Sequence, residues 1–339
     1  MTKPIVSTAA MQLFETGKFN LDDPVKKFIP EWNNLEVYES GSKGDFKTKV
    51  ANRDMVMLDL FTHTSGLTYG LQEQTPVDEE YGRSGIENVV DSRGINGTLS
   101  ADEIINLLSD IPLEFSPGSH YNYSLSIDIL GFIIERISNI SLKDYLMKNI
   151  FVPLGMIDTS FYLDIEKKER FAPCYRWNIE KDSYEGLNEN KNSKIKDIDF
   201  FNKPNCFSGG GGLLSTISDY QKFGSELLNS KSGKSNLLIS KHTADLMMRN
   251  HLPNNLDMTE LSKFKLSGEE YYKGVGYGLG GSIVIDSSLN LNNSFDGDFG
   301  WGGAANTSFY ISPFNEFSFV FMTQVLESDD TRILNKDIW

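Results

Sequence analysis

The chain has 339 residues, of which 39% are hydrophobic, 12% aromatic and 23% charged; this is the composition of a globular protein with a substantial core, not of a disordered chain. Asp and Glu number 47 against 32 Lys and Arg, a formal charge of −15, and a surface of that sign repels phosphate backbones, so nucleic acid is not an expected partner. No apolar run approaches the roughly 20 residues a membrane span needs, and the two cysteines, Cys174 and Cys206, form neither a disulfide framework nor a metal-ligand pattern.

Helical periodicity begins almost at the first residue: Ile5, Ala9 and Leu13 recur with Val6, Ala10 and Phe14 beside them. Gly17 closes that pattern as a C-cap. Nothing in the first segment reads as a secretory signal, because no charged stretch leads into an apolar run and a small-residue cleavage site. A helix with neither cap nor run-up carries the expectation that sequence ahead of Met1 is missing, which leaves localisation open. Residues 38–48 read as a polar loop or hairpin. A helical segment from Asp54 to Phe61 leads into His63-Thr64-Ser65-Gly66-Leu67, a turn by composition. Residues 70–97 are polar and lack clear periodicity.

Ser100-Ala101-Asp102-Glu103 resembles a capping box opening a helix from Ile104 to Ser109. After the Pro117-Gly118 turn, Leu130, Ile133, Ile134 and Ile137 form an apolar helical face within Leu125 to Ser138. Ser141 opens another helix, closed before Pro153-Leu154-Gly155. Residues 160–205 read as strand and loop, with a solvated polar tract from Asn188 to Lys196. Ser218-Asp219 is expected to cap a helix through Leu228. Strand-like runs follow at Tyr277 to Asp286, Ser294 to Gly300, Thr307 to Ile311 and Phe317 to Thr323. A helix-rich centre followed by strands predicts a mixed α/β (α+β) layered fold. It is expected as one catalytic unit over 1–339, with a mostly helical and loop region at 62–225 and a sheet-forming region at 270–339.

The chemistry narrows by elimination. The four histidines, His63, His120, His242 and His251, are scattered and form no zinc-binding pair. Ser208 to Gly212 is glycine-rich but lacks the Lys-Ser/Thr ending of a phosphate loop, so close backbone approach between packed elements is its expected role. No G-x-S-x-G elbow is present. Lys3, Tyr123 in Tyr121-Asn122-Tyr123-Ser124-Leu125, and Trp301-Gly302-Gly303-Ala304 each have a plain explanation alone: a surface lysine, a core tyrosine, a tight strand.

Their order and flanks say more. Met1-Thr2-Lys3-Pro4 resembles the sequence that follows the nucleophile in the serine β-lactamase and penicillin-binding protein superfamily, whose first motif is S-x-x-K. The likeness continues through Leu21-Asp22-Asp23-Pro24-Val25, His63-Thr64-Ser65-Gly66-Leu67, Pro117-Gly118 with Tyr123-Ser124, Pro153-Leu154-Gly155-Met156, Gly211-Gly212-Leu213-Leu214-Ser215-Thr216 and Trp301-Gly302-Gly303. It covers nearly the whole chain in order and looks like the class C β-lactamase-related branch, particularly its carboxylesterases and transesterases.

The resemblance implies an antiparallel sheet flanked by helices plus a mainly helical region, with N-terminal strands and the end of a terminal helix (Arg332 to Trp339) cut short. It implies a nucleophilic serine immediately before Met1, Lys3 as the base that activates it, and Tyr123 as the second proton-transfer group. Ala304 would lend its backbone N–H to an oxyanion hole, and Ser124, Leu125, Trp301, Gly302 and Gly303 would line the substrate. No cofactor or metal is implied. Other S-x-x-K pairs, Ser40 with Lys43, Ser193 with Lys196 and Ser262 with Lys265, lie in polar, loop-like sequence without the buried helix start this chemistry needs. A serine hydroxyl is a weak nucleophile until a neighbour takes its proton; Ser and Lys three apart share a helix face, and burial favours the neutral amine.

Two departures bear on substrate. Tyr123-Ser124-Leu125 lacks the amide of the usual Tyr-x-Asn, and Trp301-Gly302-Gly303 lacks the cation or histidine of the usual third motif. Without a cation a substrate carboxylate binds less well, which predicts an esterase or acyltransferase acting on an uncharged small-molecule ester or acyl compound. The alternatives are a β-lactamase or DD-peptidase, and a fragment without catalysis because the serine is absent from this chain. Oligomeric state is not readable.

Overall fold

The computed structural model describes residues 1–70, 75–86, 99–178, 180–186, 200–264, 266 and 269–326. The polar tract at 188–196, the terminal segment 332–339 and much of the 70–97 loop lie outside the described residues.

The first helix, α1 (Thr2–Glu15), is buried from Thr2 through Met11, so the apolar stripe read from its sequence understates its place. A helix enclosed on every side belongs in the middle of a core, and here Lys3, Ser7 and Thr8 are enclosed with it. The expected hairpin forms from β1 (Glu36–Ser42) and β2 (Asp45–Val50), antiparallel and irregular between Tyr38 and Ser40. Short helices α2 (Met57–Phe61) and α3 (Pro76–Arg83) follow, then α4 (Ala101–Ser109), whose Ser100 and Glu103 make the predicted reciprocal capping box. The central α5 (Ser126–Ser138) packs on α1 and ends at Asn139 in the left-handed region. Next come α6 (Leu142–Leu146), a π turn over Met147–Phe151 and α7 (Val152–Leu154).

β3 (Tyr175–Asn178) pairs with β4 (Ser183–Gly186). The helix α8 (Ile217–Ser232) departs from expectation at both ends. Its cap is Thr216, whose Oγ1 accepts the Asp219 N–H at 3.2 Å, and it runs past Leu228 to a left-handed Gly233. Asp219 sits in the first turn, where its charge suits the helix dipole. Two short helices, α9 (Lys241–Met247) and α10 (Met258–Leu261), lead to the sheet.

That sheet is an antiparallel meander of β5 (Val275–Tyr277), β6 (Ser282–Val284), β7 (Phe299–Gly303), β8 (Thr307–Ser312) and β9 (Phe317–Phe321). β10 (Val325–Leu326) leaves it to pair in parallel with β3. The run from Tyr277 to Asp286 is two strands, not one. Gly280 turns the chain at φ +88°, and a Cβ there would lie 2.0 Å from the Ser7 hydroxyl of α1, so only glycine fits. Helix α8 covers the sheet, with Tyr220 and Phe223 packed on Phe309.

One further backbone pairing lies outside these strands. The stretch 63–68 runs beside 114–125: Glu114 N–H donates to the Gly66 carbonyl, Gly118 to Thr64, Asn122 to His63 and Leu125 to Thr68. Glu114 is buried beneath this pair and accepts the Thr75 hydroxyl. Burial, with the Asp78 charge adding to it, pushes its carboxyl up from 4.5 to about 7. Between those values the folded protein holds a proton that the unfolded chain releases, so this group's contribution is fully present below 4.5 and is lost as pH rises through 7. The expected result is that Glu114→Gln, which cannot ionise, gains melting temperature relative to the parent as pH goes from 5 to 8. Calorimetry showing a pH-independent difference would count against it.

Candidate active site

Lys3 occupies the first turn of α1, with its side chain enclosed among the Gly210 turn, Tyr69 and Tyr123. The residue is 3% exposed. Its Nζ donates to the Gly210 carbonyl at 2.7 Å and lies over two aromatic faces, 4.5 Å from the Tyr123 ring centroid and 5.4 Å from that of Tyr69. Such contacts between a cation and a ring face are worth about 1 kcal/mol or more once water is excluded.

Tyr123 stands at the mouth of this space, 37% exposed. Its ring packs between His63 at 4.8 Å, Tyr69 at 5.2 Å and Trp301 at 5.5 Å. Trp301 Nε1 donates to the Tyr123 Oη at 3.4 Å. The end of β7 closes the remaining side: the Met1 amine donates to the Gly302 carbonyl at 3.0 Å. A Cβ on Gly303 would be 2.3 Å from Thr307 Oγ1, so a larger residue there would displace that hydroxyl. Ala304 follows, itself exposed, in the β7–β8 turn. The start of α1, Tyr123 and Trp301-Gly302-Gly303 therefore meet in one place, although some 120 to 300 residues apart in sequence.

Two expected substrate-lining residues do not belong there. Ser124 and Leu125 are both 0% exposed. Ser124 Oγ lies 3.2 Å from His63 Nδ1 and 2.8 Å from Ser126 Oγ, and Leu125 turns into the core as the residue that opens α5. Successive side chains entering a helix point in different directions, and with Tyr123 facing out these two face in. Of the other S-x-x-K pairs, Ser40 and Lys43 are exposed on the β1–β2 hairpin; Ser193, Lys196 and Lys265 lie outside the described residues.

Three contributors escaped the sequence reading. His63, fully buried with φ +55°, accepts the Ser124 N–H on Nδ1 at 3.2 Å while its carbonyl accepts the Asn122 N–H. It therefore holds the chain on both sides of Tyr123. Burial, then the Lys3 charge, keeps its imidazole well below the usual range, hence neutral. Tyr69 is the second: burial, then Tyr123, raises its phenol well above the usual value. The third is Asp128 on α5, buried under the Gly210 turn. His63 lay within a turn already noted, but its partner is 61 residues away and no local pattern joins them. Burial, with Lys3 adding to it, also pushes the Met1 amine down to about 4. Burial thus disfavours the charged forms of His63, Tyr69 and the Met1 amine, as expected where water is excluded. An amine enclosed there, a phenol at the rim and a small-residue strand end are parts suited to moving a proton beside a carbonyl group.

Comparison with known proteins places the chain in a family. The beta-lactamase family model matches residues 1–338. Acyltransferase calJ of Penicillium decumbens is 27% identical over 349 residues, covering all of this chain and 79% of the relative. Esterase EstB of Burkholderia gladioli is 34% identical over 178 residues, 52% of this chain and 40% of its own. The solved structure of unliganded Simvastatin Synthase (LovD) from Aspergillus terreus superposes with a TM-score of 0.75 at 25% identity, covering 97% of this chain and 77% of that one. The helices and antiparallel sheets described above are those of the β-lactamase and transpeptidase fold.

Proposed function

This chain belongs to the beta-lactamase family, and from that premise we propose that it carries the machinery of a serine hydrolase or acyltransferase that works through an acyl-serine on uncharged esters. The carrying observation is the convergence of Lys3, Tyr123 and the Trp301-Gly302-Gly303 strand end. The acyl-accepting hydroxyl in this reading is a serine directly ahead of Met1, three positions before Lys3 and so on the same helix face.

The serine Oγ attacks the ester carbonyl while Lys3, with Tyr123, takes its proton. The oxyanion is met by the serine N–H and the Ala304 N–H. Collapse breaks the ester C–O bond, and the leaving alcohol recovers the proton. Water or an acceptor alcohol then attacks the acyl-serine, its proton passing back along the same groups, and which of the two arrives decides hydrolysis or transfer. Trp301, its N–H turned to the Tyr123 hydroxyl, offers a substrate an apolar wall where a cation would favour a carboxylate. The naming of calJ as an acyltransferase and EstB as an esterase supports the same class.

The test is the polypeptide extended by one serine ahead of Met1, compared with the same polypeptide extended by alanine. The serine form should hydrolyse p-nitrophenyl acetate and take a fluorophosphonate label on that serine; the alanine form should do neither. Equal activity in both would overturn the assignment, and nitrocefin turnover matching ester turnover would move the substrate class to β-lactams.

A further inference from the structure

The glycine run at Ser208 to Gly212 finds a use here that no phosphate-binding pattern explains. It forms a tight turn pressed against α5. The Ser208 carbonyl accepts the Gly212 N–H at 3.0 Å, and Ser208 Oγ accepts the Gly211 N–H at 3.1 Å. The same hydroxyl donates to Asp128 Oδ1, which also accepts the Gly210 N–H at 2.9 Å. Asp128 is 1% exposed, and its Oδ2 has no hydrogen-bond partner among the described residues. The Gly210 carbonyl is the acceptor of Lys3 Nζ. Beyond the turn, the Leu213 N–H donates to Thr2 Oγ1 at 3.1 Å, tying the same segment to the start of α1.

The glycines show how tightly this is set. A Cβ on Gly209 would lie 2.5 Å from the Ile127 carbonyl, and one on Gly210 would lie 2.1 Å from Asp128 Oδ2. A Cβ on Gly211 would meet nothing within 4 Å. Close approach to α5 therefore requires glycine at 209 and 210 but not at 211.

We infer that Asp128 is a positioning residue for Lys3: through the Gly210 peptide it fixes where the amine sits, and through its buried carboxylate it sets how readily that amine holds a proton. The inference rests on the role proposed for Lys3 above. A carboxylate with one oxygen bare of donors interacts with nearby charge at low local dielectric. The charged or titratable groups acting with it are Lys3 from α1, Tyr69 from the 63–70 segment and Cys206 from the stretch before the turn, and Lys3 itself is also faced by the Met1 amine, His63, Tyr69 and Tyr123. Burial pushes the Asp128 carboxyl up and the Lys3 charge draws it back down, and that coupling is reciprocal.

Labelling of Lys3 in the full chain tests this without any turnover. The rate of acetylation by acetic anhydride is followed against pH by peptide mass spectrometry. Asp128→Asn keeps an acceptor for Ser208 and Gly210 but removes the charge, so its labelling profile should lie at least one pH unit lower than the parent's, a roughly tenfold faster reaction at a fixed pH on the rising limb. Gly210→Ala should alter Lys3 labelling, whereas Gly211→Ala should match the parent. A profile for Asp128→Asn that superimposes on the parent's, or differs by the same factor at every pH, overturns the electrostatic role. Identical labelling in Gly210→Ala and Gly211→Ala overturns the positioning role. In the serine-extended form, Asp128→Asn should lower kcat for an ester about tenfold with KM within twofold. If no variant turns over ester, the proposed function fails while the labelling still decides this point.

Discussion

Replacing Lys3 by alanine in the serine-extended polypeptide should lower ester turnover by roughly 10³-fold, the range seen when a positioned base is lost. The amine is enclosed, bonded to a single carbonyl and laid over the Tyr123 ring. Removing it takes away the group proposed to accept the serine proton. Two companions separate chemistry from packing. Lys3→Met keeps an unbranched apolar stem against Tyr69 and Tyr123 and should be as inactive as alanine, although it removes a buried polar group and should not cost stability. Lys3→Arg keeps a cation but should not rescue, because a guanidinium does not release its proton in this range. Turnover within tenfold of the parent in Lys3→Met would leave this lysine a structural residue and remove the basis of the proposed function.

The second large effect is expected from Tyr123→Phe. Phenylalanine preserves the ring that packs on His63, Tyr69 and Trp301 and carries the Lys3 contact, so the melting temperature should change little. The Oη, the one part that Trp301 Nε1 reaches, is lost. Turnover should fall about 10²- to 10³-fold with KM nearly unchanged, the pattern of an interaction that matters in the transition state rather than in substrate binding. If Tyr123 merely fills space, the phenylalanine variant retains the parent's kcat. Steady-state kinetics on the ester reads either result directly.

These expectations rest unevenly on sequence and on structure. The Ser100–Glu103 capping box, the 36–50 hairpin and the apolar α5 were legible because each depends on residues a few positions apart. Lys3, Tyr123 and Trp301 were legible through the order of their motifs. Local pattern failed where a distant partner made the choice. A strand breaks at Gly280 because Ser7 of α1 lies against it. Ser124 and Leu125, one and two residues from a tyrosine at the surface, are wholly buried. The α8 cap was a different miss, one of position within a local motif: Thr216 rather than Ser218 accepts the Asp219 N–H three residues on.

Read alone, the 339 residues and their charge of −15 already argue for a globular protein whose surface repels phosphate backbones, and the order of short motifs points to the fold and a class of chemistry. They do so because periodicity, capping and turn residues act over one or two helical turns. Which groups surround the lysine was decided only by folding. His63 meets the Tyr123 segment across 61 residues, and Asp128 reaches Gly210 across 82. The reason is physical: buried donors and acceptors must find partners, and those partners are supplied by whichever elements the packed core brings alongside, a matter of three-dimensional proximity that linear spacing does not encode.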